Sequence, residues 1–156
     1  MVVYAEAVER LPEVATGSPV APQPGLPTVE LADDGAPTIT VPQGAEAPAE
    51  TEIAVLKQGD GATVGAGDLV VVQYRGVKWS DGTEFDSSWS RGTPTQFQTS
   101  GVVTGFRLAL EGQRVGSQIL AVIPPKDGYG AVQGHELANE TLVFVVDILA
   151  TTSVQP

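Results

Sequence analysis

The clearest periodic stretch in the chain runs from Leu69 to Ser88. Val70, Val72 and Tyr74 alternate with Val71, Gln73 and Arg75, which is the period of a strand with one dry face. Ser80-Asp81-Gly82 follows and supplies a turn, since Asp bonds its own backbone and Gly tolerates positive φ. The chain then returns as a second strand carrying Phe85 and Asp86 side by side. Adjacent strand residues point to opposite faces, so these two can serve one site only where the strand bends or ends. Ser87-Ser88 marks that end.

The rest of the second half arranges itself around this hairpin. Glu52 to Lys57 reads as a strand with Ile53 and Val55 on one face, and Gln58-Gly59-Asp60-Gly61 and Gly65-Ala66-Gly67-Asp68 read as turns. Trp89 to Pro94 reads as a loop or bulge, and Thr95 to Thr99 as a strand centred on Phe97. Thr104 or Gly105 caps a short helix reaching about Glu111, where Phe106, Ala109 and Leu110 form one buried stripe and Gly112 is the stop. Ser117 to Ile123 is a strand closed by Pro124-Pro125, which cannot donate to a ladder. A polar loop from Gly128 to Glu140 leads into an apolar, β-branched closing strand, Thr141 to Leu149. The fold class expected is α+β: an antiparallel half-barrel of five to six strands, its concave face wrapped on one short helix.

The first 50 residues follow no such pattern. They hold eight of the twelve prolines, and one basic residue, Arg10, against eight acidic ones. Such a composition buries too little apolar surface to offset its ordering entropy, so residues 1–37 are expected to be an acidic, proline-rich linker before a domain over 38–151, with 152–156 as a tail. Thr28 to Leu31 and Thr38 to Val41 are the two pieces within reach of order; the second lies between Pro37 and Pro42, which suits an edge strand or an extended arm. Val2 to Val8 echoes Leu142 to Ile148 in its order of aliphatic and aromatic residues. It fits the last strand of a preceding, similar domain, and it also fits a chance apolar run.

Charge and composition exclude several functions. A formal net charge of −11 is wrong for a phosphate-bearing partner or an anionic membrane surface, so no nucleic acid is expected as partner. No apolar run approaches the roughly 20 residues of a bilayer span, and the start of the chain lacks the basic and apolar regions of a signal peptide. With no cysteine, neither a disulfide nor a thiolate metal site is available. Neither glycine cluster is followed by Gly-Lys-Ser/Thr, so neither is a phosphate loop. The one histidine, His135, lies in the polar loop, and no Gly-x-Ser-x-Gly accompanies it, so a serine triad has no support. No metal-ligand spacing appears, and no cofactor is expected.

What remains is a set of aromatic and aliphatic side chains with one acid among them, which is a poor set for covalent chemistry. Taken alone, Tyr74, Phe97 and Phe144 read first as core, and Asp86 reads equally as a turn cap. Tyr129 between Gly128 and Gly130 is a bulky ring on a loop, where such rings usually have a role.

The motifs resemble those of the FKBP-type peptidyl-prolyl isomerases. They are Tyr74-Arg75-Gly76, Gly82-Thr83-Glu84-Phe85-Asp86-Ser87-Ser88, Val102-Val103-Thr104-Gly105-Phe106, Tyr129-Gly130 and Thr141-Leu142-Val143-Phe144, in that order between about Thr51 and Thr151. The resemblance implies the FKBP-like half-barrel and cis–trans isomerisation of X–Pro bonds in a protein-folding role, with proline-containing polypeptides as clients, macrolide immunosuppressants as ligands and a monomeric state. It implies a pocket lined by Tyr74, Phe85, Phe97, Val102, Val103, Phe106 and Phe144. Asp86 would face the twisting amide, paired with Arg91 and the Tyr74 hydroxyl. Tyr129 and the Val103 N–H would donate to substrate carbonyls. Phe106 stands where the family usually has tryptophan, Thr95 where many members have a second aromatic, and Leu137-Ala138-Asn139 where Ile-Pro-Pro is usual. A non-catalytic module that holds proline-bearing segments is the alternative. An extracytoplasmic or cell-envelope setting is the expectation from the acidic linker beside a folding factor, with a cytoplasmic one as the alternative.

Overall fold

A computed structural model of the protein describes residues 18–19, 27–31, 37–41, 49–80, 82–91, 94–102, 104–128 and 140–152. Among the described residues the strands are β1 (Ser18–Pro19), β2 (Thr28–Leu31), β3 (Pro37–Thr40), β4 (Glu52–Gln58), β5 (Leu69–Lys78), β6 (Glu84–Ser87), β7 (Thr95–Gln98), β8 (Gln118–Ile123) and β9 (Leu142–Thr152). Two helices join them, α1 (Ser88–Arg91) and α2 (Thr104–Leu110). The large sheet has the order β1-β4-β8-β9-β5-β6, antiparallel throughout, with β7 also paired to β5. The α+β half-barrel expected from the sequence is therefore the fold.

The edge beyond β5 positions the site. Arg75 to Val77 pair with β6, whereas Leu69 to Val72 pair with β7. One long strand thus serves two short ones in succession. Between them the chain leaves the sheet as α1, where a loop or bulge was expected over Trp89 to Pro94. The cause is Ser88, fully buried, whose hydroxyl accepts from the Tyr74 N–H at 2.8 Å and donates to the Gln73 side-chain oxygen. That serine ties the first turn of α1 to the middle of β5.

The sheet is covered on both faces. Val70, Val72, Tyr74, Ile119, Ala121, Ile123, Leu142, Phe144, Val146 and Ile148 form the concave core with Phe106, Ala109 and Leu110 of α2. Seven residues make too short a helix to persist alone, so α2 exists because this stripe is buried. Gly112, at φ 88°, ends it, its N–H donating to the Val64 carbonyl at 2.9 Å. Ala54, Val77, Leu120, Val122, Val143 and Val145 form a second cluster on the convex face. Both pieces of the upstream segment within reach of order are strands. Val29 of β2 pairs with Ile39 of β3, and both pack on that second cluster together with Val41.

Candidate active site

The concave face gathers aromatic rings from four elements. Tyr74 comes from β5, Phe97 from β7, Phe106 from α2 and Phe144 from β9. Ring centroids lie 5.5 Å apart for Tyr74–Phe97, 6.0 Å for Tyr74–Phe106, 5.3 Å for Phe97–Phe106 and 4.8 Å for Phe106–Phe144. Most are edge-on or tilted, as the ring quadrupole favours. Phe85 of β6 joins them edge-to-face with Phe144 at 5.4 Å. Phe106 is 4 % exposed at the base, while Phe85, Phe97 and Val102 are half-buried around it.

Two glycines make this closeness sterically attainable. A Cβ on Gly76 would stand 2.7 Å from Phe85 Cζ and 2.8 Å from Phe144 Cε1. Only a residue without a side chain lets both rings lie over β5, which gives the glycine of Tyr74-Arg75-Gly76 its physical reason. A Cβ on Gly105 would meet Ile123 Cγ2 at 2.4 Å. That glycine lets α2 settle directly on β8 and sets the height of Phe106. The motifs held both glycines, but the sequence reading assigned neither a steric role; the signal lay in their places beside pocket residues.

Asp86 sits at the rim of the rings. Its carboxylate accepts from the Tyr74 hydroxyl and, through the other oxygen, from the Ser87 N–H at 2.9 Å. The phenol satisfies the acid, and the acid orients the phenol, so a half-buried carboxylate stands next to an apolar cluster with its hydrogen bonds made. Phe85 and Asp86 serve one place because β6 ends at Ser87 and its register with β5 shifts between Gly76 and Val77. Thr95 pairs with Val72 and Phe97 with Val70, two residues of the concave core. Thr95 therefore faces the same side as Phe97, with a small side chain.

A second tie fixes the approach to α2. The Asp68 carboxylate accepts from the Gly65 N–H at 2.8 Å and the Thr151 hydroxyl at 2.9 Å. The Thr99 N–H donates to the Asp68 carbonyl at 3.0 Å, and the Gly67 N–H to the Thr99 hydroxyl at 2.7 Å. The turn Thr99–Gly101, immediately before Val102, is thereby anchored to the end of the sheet. Of the site residues expected from sequence, the structure brings Tyr74, Phe85, Asp86, Thr95, Phe97, Val102, Phe106 and Phe144 to one face. Val103, Tyr129 and the Arg91 side chain lie outside the described residues, as does His135. Among the described residues, no group of three or more His, Cys, Asp or Glu side chains is placed to hold a metal.

Comparison with known proteins agrees with this geometry. The family profile FKBP_C, described as FKBP-type peptidyl-prolyl cis-trans isomerase, matches residues 61–149. A probable FK506-binding protein of Corynebacterium glutamicum is 39 % identical over 115 residues, covering 73 % of this chain and 97 % of that one. An FK506-binding protein of Streptomyces anulatus is 42 % identical over 112 residues, covering 69 % and 90 %. The crystal structure of FkpA from Escherichia coli superposes with a TM-score of 0.63 at 30 % identity, over 85 % of this chain and 54 % of that one. An aromatic bowl closed by a satisfied acid, on this sheet and with these relatives, leaves one conclusion: the chain belongs to the FKBP-type peptidyl-prolyl cis-trans isomerases.

Proposed function

We propose that the isomerase works by desolvation, with Phe85, Phe97, Val102, Val103, Phe106 and Phe144 as the apolar wall and Asp86, Tyr74 and Tyr129 as its polar points. Rotating an X–Pro bond meets a barrier of roughly 18–20 kcal/mol because the C–N bond must lose its partial double-bond character. The twisted amide has lost resonance charge separation and is less polar than the planar one. A dry surface therefore favours the transition state over the ground state, which is catalysis by differential binding. The observation that carries this reading is the mutual contact of Tyr74, Phe97, Phe106 and Phe144 with Asp86 held by the Tyr74 hydroxyl. Asp86 would present its field to the twisting amide. Tyr129 and the Val103 N–H would hold the flanking carbonyls, and Arg91 would reinforce Asp86.

The clients would be proline-containing polypeptides met during folding. Macrolides of the FK506 class would occupy the same wall, more weakly than with a second aromatic at Thr95 and a tryptophan at Phe106. The pocket would belong to an isomerase domain over 38–151, monomeric, downstream of an acidic segment over 1–37 and followed by a tail over 152–156. The acidic, proline-rich segment supports an extracytoplasmic or cell-envelope setting. No helix among the described residues is long and apolar enough to cross a membrane.

The test is the relaxation rate of an X–Pro peptide followed by exchange NMR. Folded wild-type protein should accelerate it without metal or cofactor, and Phe85→Ala should remove far more of the acceleration than Tyr129→Phe. If the folded protein binds the peptide without accelerating it, this chain is a proline-holding module instead.

A further inference from the structure

The convex face of the sheet is as dry as the concave one. Ala54, Val77, Leu120, Val122, Val143 and Val145 are each at most 3 % exposed there. An antiparallel sheet with one face in water would put polar residues at those positions. The cover is the β2–β3 hairpin, with Ile39 8 % exposed at its centre and Val29 and Val41 beside it. This hairpin lies wholly upstream of the residues 61–149 that the family profile matches.

Arg75 connects that cover to the catalytic edge. It sits on β5 opposite Ser87, beside Gly76. Its Nη1 donates to the Pro37 carbonyl at 2.7 Å, and its Nε stands 2.8 Å from Glu84 Oε1 in an ion pair that is not aligned as a hydrogen bond. With both side chains about a third exposed (30 % and 32 %), the ion pair alone is worth little. Its effect is geometric, because the rigid planar guanidinium bridges the Pro37 carbonyl, by a hydrogen bond, and the Glu84 carboxylate, by charge. Glu84 is the first residue of β6, and Phe85 and Asp86 follow it. β6 has four residues and a register shift, and among the described residues no further strand pairs beyond it. On the pocket side Phe85 packs edge-on against Phe144 and Asp86 accepts from the Tyr74 hydroxyl; Arg75 adds a tie from the other face, through Glu84.

We propose that the β2–β3 hairpin is a strap whose hold on the convex face reaches the pocket through Arg75, and that Arg75 is a positioning residue for Phe85 and Asp86. The catalytic half of this proposal rests on the isomerase reading; the structural half does not. Released from the sheet, the hairpin takes the Pro37 carbonyl with it, the guanidinium loses one of its two fixed points, and Glu84 and β6 loosen together.

The test uses the full chain, as Ile39→Asp, Arg75→Ala, Arg75→Lys and the pair Ile39→Asp with Arg75→Ala. Amide hydrogen exchange at Phe85 to Ser87 should quicken about tenfold in Ile39→Asp and in Arg75→Ala, with α2, on the opposite face of the sheet, unchanged. Arg75→Lys should fall between, because an ammonium keeps the charge near Glu84 and loses the fork. The isomerase kcat/KM should drop about threefold to tenfold in each single variant, and little further in the pair, since both cut one connection. Should Ile39→Asp fail to fold, Ile39→Ala gives the same reading at smaller amplitude. A freed hairpin with Phe85 to Ser87 exchanging at the wild-type rate overturns the proposal, as does full additivity in the pair. If wild-type protein proves inactive, the isomerase reading fails while the exchange rates still decide the strap.

Discussion

On the concave side of the sheet, large flat rings meet at angles and end in half-buried Phe85, Phe97 and Val102. On the convex side, small branched aliphatics interdigitate and end under a hairpin. The two faces share their strands, residue by residue: Phe144 and Val146 point one way, Val143 and Val145 the other. Rings that meet edge-on form a bowl whose rim residues Phe85, Phe97 and Val102 stay half-buried. The valines and leucines of the convex face are buried beneath the hairpin. The same backbone thus carries the ring cluster of the candidate site on one face and a covered aliphatic layer on the other, and ring shape against branched shape separates them.

The largest test of that contrast pairs one truncation from each face. Phe144→Ala and Leu120→Ala should each cost about 3 kcal/mol of stability in denaturant titrations, since both delete a buried side chain. Only Phe144→Ala should also abolish isomerase activity below its melting point. If Leu120→Ala silences the enzyme equally, the convex face is part of the site and the contrast fails. Gly76→Val comes next, because its Cβ would overlap two rings of the bowl. A loss of about 1–3 kcal/mol in thermal unfolding, as overpacked cores show, should come with a matching loss of macrolide binding.

Smaller effects sharpen the picture of the rim. Phe85→Ala should lower kcat/KM by more than about tenfold, whereas Tyr129→Phe deletes one hydroxyl worth about 0.5–1.5 kcal/mol and should cost at most about tenfold. A reversed order would make a hydrogen bond, and not dryness, the main source of catalysis. Thr95→Phe should tighten macrolide binding roughly fivefold, from about 40 Å² of added apolar contact at roughly 25 cal/mol per Å². Weakened binding by calorimetry would show that Thr95 contributes something other than a thin wall. Smallest of all, the rate should stay flat between about pH 6 and 8, since no imidazole is among the proposed site residues. A steep rise that vanishes in His135→Ala would defeat the desolvation mechanism.

The sequence made the concave face largely readable and the convex face hardly at all. Strand alternation in Val70, Val72 and Tyr74, the stripe Phe106, Ala109 and Leu110, and the five ordered motifs each pointed to the bowl. The strand end at Ser87 was legible from Ser87-Ser88, but the short helix after it was not, because it depends on the Ser88 hydroxyl meeting Gln73 and Tyr74 across the sheet. The seal was written in Ile119 to Ile123 and Leu142 to Val146, buried at every residue. Runs that are apolar at successive positions signal strands covered on both faces, and one helix can cover only one. Composition pointed the other way, since the hairpin that covers the second face sits among prolines and acids.

The place of β9 has a consequence for how the chain acquires its shape. This strand lies between β8 and β5, so Leu69 at the start of β5 waits for Thr152 before its ladder is complete. Nearly all the pairing in the centre of the sheet joins distant parts of the sequence, and topologies of that kind fold in milliseconds to seconds, more slowly than local ones. During synthesis, β4 to β8 leave the ribosome with the middle of their sheet absent and their apolar faces uncovered. This isomerase therefore passes, in its own synthesis, through an interval in which its apolar strands are still waiting for their last partner.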